Sequence, residues 1–286
     1  MTSRIPAWLA AHVSASLAED HAGEDITSAI SVDPAAPGEA VIRAGARGTL
    51  AGTQAAAAVF RTLSARLRVR VLAREGAKLR RGEAVLRASG PKRLLLAGER
   101  TALNYLMRLS GVATLTAEYV AALRGTGVRL LDTRKTTPHL RALEKQAVLA
   151  GGGCNHRMGL HDAVLIKENH VRAAGSVGAA VSRAQAGLRR RRLRLPIEIE
   201  VQSQAEVREV KGLPVQRVML DNFTPAGVRR AVAFLKTGRG APEIEVSGGV
   251  TLGTIRRYAL PGVDFISVGA LTHSAVALPF SLDWIR

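Results

Sequence analysis

With 286 residues, 47% of them hydrophobic, the chain has room for one large α/β barrel or two modest domains around a well-buried core. Lys and Arg outnumber Asp and Glu by 41 to 23, which reads either as compositional bias with arginines on solvated faces or as a sign of an anionic partner: nucleic acid, an anionic membrane, or small multiply charged substrates. Aromatics at 3% leave few stacking platforms, and zinc-finger, RNP and basic-zipper patterns are missing, which argues against nucleic acid. The single cysteine precludes an intramolecular disulfide and fits a reducing cytoplasm.

The first twenty residues, "MTSRIPAWLAAHVSASLAED", combine Arg4 with a mildly apolar run, as a signal peptide would. Pro6, His12 and the serines weaken that reading, and the apolar residues fall at helical spacing, so an amphipathic helix is expected instead. No stretch reaches eighteen uninterrupted apolar residues. "AVIRAGARGTLAG" and an Ala-rich helix around 54 to 65 follow. Next come the short β runs "LRVRVLA" and "EAVLRAS", separated by "EGAKLRRG", which predict a small antiparallel sheet. Residues from Pro91 read as helical, in two helices parted near Gly111.

From about residue 128 strands alternate with helices. The strands are "VRLLD", "AVLIK", "PIEIEV", "QRVMLD", "EIEVSG" and "VDFISVG"; helices are expected to begin near Pro138, Ser176, Ser203, Thr224 and Thr251. Such alternation implies parallel strands with right-handed crossovers, hence an α/β barrel, atypical or incomplete. The run "LRRRRLRL" between a helix and a strand reads as a solvated helix end.

Two strands break the apolar pattern of a buried parallel sheet. Glu198 and Glu200 share one face of "IEIEV", and Glu243, Glu245 and Ser247 share one face of "EIEVSG". Either alone would suit an edge strand. Two together, with Lys167 and Asp221 at the ends of neighbouring strands, point to a polar site at the C-terminal rim of the barrel. "SGGV" and "SVGALTHS" add glycine and hydroxyl groups after the last two strands, suited to phosphate. "DTRKTTPHL" and "GGGCNHRMGL" contribute Arg134, Lys135, His156 and Arg157, and a helix contributes Arg100. Cys154 and His156 stand two apart, yet a Cys-His nucleophile also needs an orienting group. The surrounding Arg and Gly suit an anion better, so Cys154 is read as a bystander.

The run "DTRKTTPHLRALEKQAVLAGGGCNHRMGLHDAVLIKENHV" resembles the signature region of quinolinate phosphoribosyltransferases. "EDITS", "GPKRLLLAGERTALNYLMRLSGVATLT", "EIEV", "LDN", "EVSGGVTL" and "VDFISVGALTHSA" extend the likeness over nearly the whole chain. The resemblance implies an N-terminal α/β sandwich domain over 1–112, with 275–286 packing back on it, and an α/β barrel over 113–274. It implies transfer of phosphoribosyl from 5-phosphoribosyl 1-diphosphate to quinolinate with loss of CO2, giving nicotinate mononucleotide and diphosphate, with Mg2+, in a cytoplasmic homodimer. In that scheme Lys135, Lys167, Glu200 and Asp221 are catalytic, and Glu200 and Asp221 approach the metal directly or through water. Arg134, His156 and Arg157, with Arg100 from the neighbouring subunit, hold quinolinate. Ser247, Gly248, Gly249, Gly269 and His273 hold the phosphoribosyl phosphate.

His139 stands where the family usually has Gly, Gln146 where it has Tyr or a similar residue, and Gln202 where it has Asp. A relative associated with molybdate-uptake operons is the alternative within the class. It is disfavoured because this chain keeps Lys167, Glu168, Asn169 and His170. The alternative outside the class is a basic, non-enzymatic nucleic-acid-binding protein. No membrane or nucleic-acid partner is expected.

Overall fold

The computed structural model describes residues 5–238 and 240–285; Arg4, weighed above as part of a leader, lies outside them. The chain divides into two compact units. One comprises Met1–Ala117, Gln146–Gly152 and Ala275–Arg286, the other Glu118–Lys145 and Gly153–Ser274.

The first unit begins with α1 (Ala7–Glu19), which buries Leu9, Val13 and Leu17, the helical spacing expected of an amphipathic segment. α2 (Ile26–Ser31) is capped by Asp25, which accepts from the Ser28 amide. Then come β1 (Pro37–Ala44), β2 (Gly48–Thr49), α3 (Thr53–Leu63), β3 (Arg68–Val71), β4 (Lys78–Leu79) and β5 (Ala84–Pro91). The β1, β3 and β5 strands form an antiparallel sheet in which β5 is flanked by β1 and β3. α4 (Lys92–Ala122) is one unbroken helix, so the expected break near Gly111 does not occur. A Cβ at Gly111 would lie 2.2 Å from the Val276 carbonyl oxygen. Glycine is there to admit a crossing backbone, and the helix continues because a single glycine weakens a helix by only about 1 kcal/mol.

The second unit carries β6 (Arg129–Leu131), α5 (Arg141–Ala150, whose last residues belong to the first unit), β7 (Val164–Ile166), α6 (Glu168–Ala174) and α7 (Val177–Arg191). It continues with β8 (Ile197–Val201), α8 (Gln204–Val210), β9 (Arg217–Asp221), α9 (Pro225–Leu235), β10 (Glu243–Ser247), α10 (Ile255–Tyr258), β11 (Phe265–Ser267) and α11 (Ala270–His273). A last strand, β12 (Phe280–Trp284), pairs with β1 in the first unit. The six strands β6 to β11 form one parallel sheet in the order β6-β11-β10-β9-β8-β7. Among the described residues β6 and β7 do not pair with each other, so the barrel is incomplete.

Helix starts follow the side chains that cap them. Ser176, Ser203 and Thr224 accept from the amides of Ala179, Glu206 and Gly227, and Pro225 opens α9. The starts expected near Pro138 and Thr251 come a few residues early: α5 begins at Arg141 and α10 at Ile255. His139 takes φ +62°, which a right-handed helix cannot contain. α7 ends in Arg189, Arg190 and Arg191 with Arg192 as a left-handed cap, all exposed, where cations offset the helix's negative end.

Candidate active site

The rim is built by register. Parallel pairing sets Ser247 beside Asp221 and carries β7 and β8 alongside, so Lys167, Glu200, Asp221 and Ser247 all stand at or just past C-terminal strand ends. β8 and β10 are interior strands, which excludes the edge-strand explanation of their carboxylates. The Ile197, Ile199, Val201, Ile244 and Val246 set is buried, as the alternation requires.

Lys167 Nζ lies 2.8 Å from Glu200 Oε2, with the lysine half-exposed and the carboxylate nearly enclosed. Burial first, then the charge of Glu200, raise the pKa of Asp221, while Lys167 and Lys135 oppose that rise. Asp221 Oδ2 accepts from Asn222 Nδ2 (2.8 Å). The Asn222 amide in turn donates to the Ser247 carbonyl (2.9 Å). Gly248 closes this turn at φ +85°, and a Cβ there would sit 2.2 Å from Asn222 Oδ1. Around Gly249 nothing lies within 4 Å of where a Cβ would be, leaving its backbone open to a ligand. A Cβ at Gly269 would meet Lys135 at 3.0 Å and His273 at 3.2 Å, so that glycine lets the two basic residues close in beside the last strand. Thr272 Oγ1 donates to the Lys135 carbonyl (2.7 Å) and anchors its loop.

The two basic loops are tied together. Buried Glu144 accepts from the amide and hydroxyl of Thr137 (3.0 and 2.9 Å), and Arg141 donates to Thr136 Oγ1 (3.0 Å) and to the Met158 carbonyl (3.3 Å). Arg157 Nη1 donates to the Ala163 carbonyl (3.3 Å). Burial, then the positive charge of Arg134, lower the pKa of Arg157. Two like charges that act on each other in this way suit an anion. The backbone of Cys154 pairs with β6: its amide donates to the Leu130 carbonyl (2.8 Å) and its carbonyl accepts from Asp132 (3.1 Å). The cysteine contributes a stub of strand at the open edge of the sheet.

Below the rim lies a buried polar layer. His156 Nε2 stands 3.0 Å from Glu198 Oε2 and 3.7 Å from Glu245 Oε2, and His156 Nδ1 accepts from the Arg157 amide (2.7 Å). That bond leaves the ring proton on Nε2, facing the carboxylates. Arg217 reaches Glu245 (3.1 Å) and Glu243 (3.0 Å). Burial lowers the His156 pKa, while burial and then the charge of Glu198 raise Glu245 to about 7. One atom each of His156, Glu198 and Glu245 lie within 4.8 Å of one another, close enough to hold a metal ion. The Arg217 guanidinium already supplies a cation there. Arg100 lies exposed on α4 in the first unit.

Sequence reasoning passed over Asp132, Lys145, Asn155 and Arg217. The signal was faint: an Asp closing an apolar strand, and a Lys on the buried face of α5.

A family model for the quinolinate phosphoribosyl transferase C-terminal domain matches residues 112–283, and one for the N-terminal domain matches 25–110. The chain belongs to the quinolinate phosphoribosyltransferase family. It is 40% identical over 238 residues to the nicotinate-nucleotide pyrophosphorylase (carboxylating) of Mycobacterium leprae, covering 82% of each chain. It is 39% identical over 279 residues to the Homo sapiens protein of that name, covering 97% of this chain and 92% of the human one. The crystal structure of NadC from Streptococcus pyogenes superposes with a TM-score of 0.91 at 36% identity, covering 100% of both chains. Similarity to these named enzymes supports the phosphoribosyltransferase reading and gives none to the molybdate-operon or nucleic-acid alternatives.

Against the family pattern, the backbone at His139 is left-handed, the conformation glycine adopts without strain. Gln202 Nε2 reaches Asp221 Oδ2 at 3.5 Å, so an amide faces the carboxylate. Gln146 is exposed on α5.

Proposed function

We propose that this chain transfers the phosphoribosyl group of 5-phosphoribosyl 1-diphosphate to the ring nitrogen of quinolinate with loss of CO2, releasing nicotinate mononucleotide and diphosphate for NAD synthesis. The observation that carries the reading is the gathering of Lys167, Glu200, Asp221 and the Ser247–Gly249 turn at the strand ends of one sheet, with Lys135 acting on Asp221.

Arg134 and Arg157 fork the two quinolinate carboxylates, and His156 completes that floor as a neutral ring. Fixing both carboxylates turns the pyridine nitrogen toward the anomeric carbon, a gain in orientation. Ser247, Gly248, Gly249 and Gly269 offer backbone amides to the 5-phosphate, joined by His273. Lys135 and Lys167 meet the charge that grows on the departing diphosphate. Glu200 and Asp221 orient the ribose hydroxyls and favour positive charge at the anomeric carbon. After ribosylation the adjacent carboxylate departs as CO2, its bonding electron pair stays on the ring carbon beside the stabilising pyridinium charge, and a proton from water completes nicotinate mononucleotide. No step needs a covalent enzyme nucleophile.

The donor set fits Mg2+: Glu200 and Asp221 are oxygen ligands whose mutual repulsion a hard cation would relieve. They would hold it directly or through water, and when bound it supplies charge neutralisation to the diphosphate. A homodimer with Arg100 crossing to the neighbouring site, the division into sandwich and barrel domains, and a cytoplasmic location belong to the same proposal. Among the described residues no helix is long and apolar enough to cross a membrane.

The deciding assay supplies quinolinate, 5-phosphoribosyl 1-diphosphate and Mg2+ and follows nicotinate mononucleotide, with nicotinate replacing quinolinate as control. Product from quinolinate alone upholds the reading; no product sinks it. Mixing inactive Arg100→Ala and Lys167→Ala subunits should restore some activity if the site is shared. No rescue after proven subunit exchange counts against sharing.

A further inference from the structure

Lys145 and Asp132 form an ion pair with neither side chain exposed, between α5 and the end of β6. Isolated buried pairs contribute little to stability, because removing both charges from water cancels most of their attraction. What distinguishes this pair is where its remaining hydrogen-bonding capacity goes. Asp132 Oδ1 accepts from the His156 amide (2.8 Å), and Lys145 Nζ donates to the His156 carbonyl (3.0 Å). Both backbone groups of one residue are thus held by the two ends of one ion pair. With its amide nitrogen turned inward, Asn155 donates to Asp132 Oδ2 (2.7 Å) and to the Lys145 carbonyl (3.0 Å).

These bonds continue the ladder that Cys154 makes with β6, so residues 154–156 are fastened by main chain first and by the ion pair next. The chain leaves this clamp at Arg157, whose amide donates to His156 Nδ1 and whose guanidinium donates to the Ala163 carbonyl. The segment has no regular strand to hold it: β6 ends at Leu131, and the stretch before Val164 is bends and turns. Arg141, donating to the Met158 carbonyl, and Asp162, accepting from the Met158 and Gly159 amides, hold the loop after Arg157. The clamp fixes the backbone just before it, where a small shift would weaken a bidentate contact.

We infer that Asp132, Lys145 and Asn155 are positioning residues for quinolinate, a clamp that sets the Arg157 fork without touching substrate. This rests on the proposed function and adds to it three residues that reach the substrate only through their neighbours.

The test compares KM values for the two substrates. Asn155→Ala removes two hydrogen bonds and leaves the ion pair joined. It should raise the quinolinate KM about tenfold while moving the KM for 5-phosphoribosyl 1-diphosphate less than about twofold. The same change placed on Arg157→Ala should have almost no further effect, because the group being positioned is gone. The charge-free pair Asp132→Leu with Lys145→Met should reproduce the selective quinolinate defect. If that pair fails to fold, Asn155→Ala and its cycle with Arg157 decide. Equal shifts in both KM values, or additivity with Arg157→Ala, overturn the clamp. Absent turnover in the unmodified enzyme would sink the functional reading alone. Amide hydrogen exchange then still judges the clamp: His156 N–H should exchange slowly in the parent protein and fast in Asn155→Ala, and equal exchange rejects it.

Discussion

The rim and the interior of the second unit hold similar residues under opposite conditions. At the rim Lys167 and Glu200 pair at 2.8 Å with the lysine half in solvent, and the Ser247–Gly249 turn leaves its backbone open. In the interior His156, Glu198, Glu245, Arg217, Asp132 and Lys145 are brought within ion-pair distance of one another with little solvent, and His156 Nε2, Glu198 Oε1 and Glu245 Oε1 make no hydrogen bond there. The difference teaches that the same charge does two kinds of work. Charges that water can reach are free to exchange a protein partner for a substrate. Charges sealed from water are too costly to separate, so they fix geometry instead.

Five experiments strain that comparison. The largest effect is expected at the rim: Lys167→Ala should cut turnover at least about a hundredfold, with a much smaller loss of thermal stability, since the lysine is half in solvent although nearly enclosed Glu200 loses its partner. A loss of stability matching the loss of turnover would show the rim to be structural after all. Next, Arg157→Lys keeps charge but loses the planar fork, and steady-state kinetics should show the quinolinate KM rising about tenfold. An unaltered KM would remove Arg157 from the substrate.

The interior should answer to pH. Glu245 binds its proton more tightly folded (about 7) than unfolded (4.5), so the folded state holds the extra proton between those values. The stability it contributes is therefore present below about 4.5 and lost as pH rises toward 7. Glu245→Gln, a mimic of the protonated acid, should flatten the slope of thermal midpoint against pH in that window. An unaltered slope would place the titration elsewhere. The smallest effects lie in the loops between: His139→Gly should stabilise by about 1 kcal/mol by relieving the left-handed backbone, and Cys154→Ala should leave turnover largely intact. Near-complete loss in folded Cys154→Ala would restore the nucleophile.

Much of the second unit was legible because period-two alternation is unambiguous in short strands. Glu198, Glu200, Glu243, Glu245 and Ser247 all project from the faces their spacing dictates, and Ser176, Ser203 and Thr224 cap helices as their chemistry requires. Gly111 misled because a glycine that admits a neighbour and a glycine that ends a helix read alike in one dimension. The difference lies in Val276, 165 positions away by subtraction of the two residue numbers. His139 announced its turn only by departing from the family's glycine.

Alone, the sequence determined the family, the alternation of strands and helices, and the residue types the chemistry needs, since these depend on local periodicity and on long contiguous motifs. Only the tertiary structure decided which groups meet. It set Lys167 against Glu200, brought His156 Nε2 beside Glu198, and closed Asp132 and Lys145 around one backbone unit. Those pairings join residues on separate strands, helices and loops. Their strength depends on how much water the completed fold excludes, which no local stretch of residues can specify.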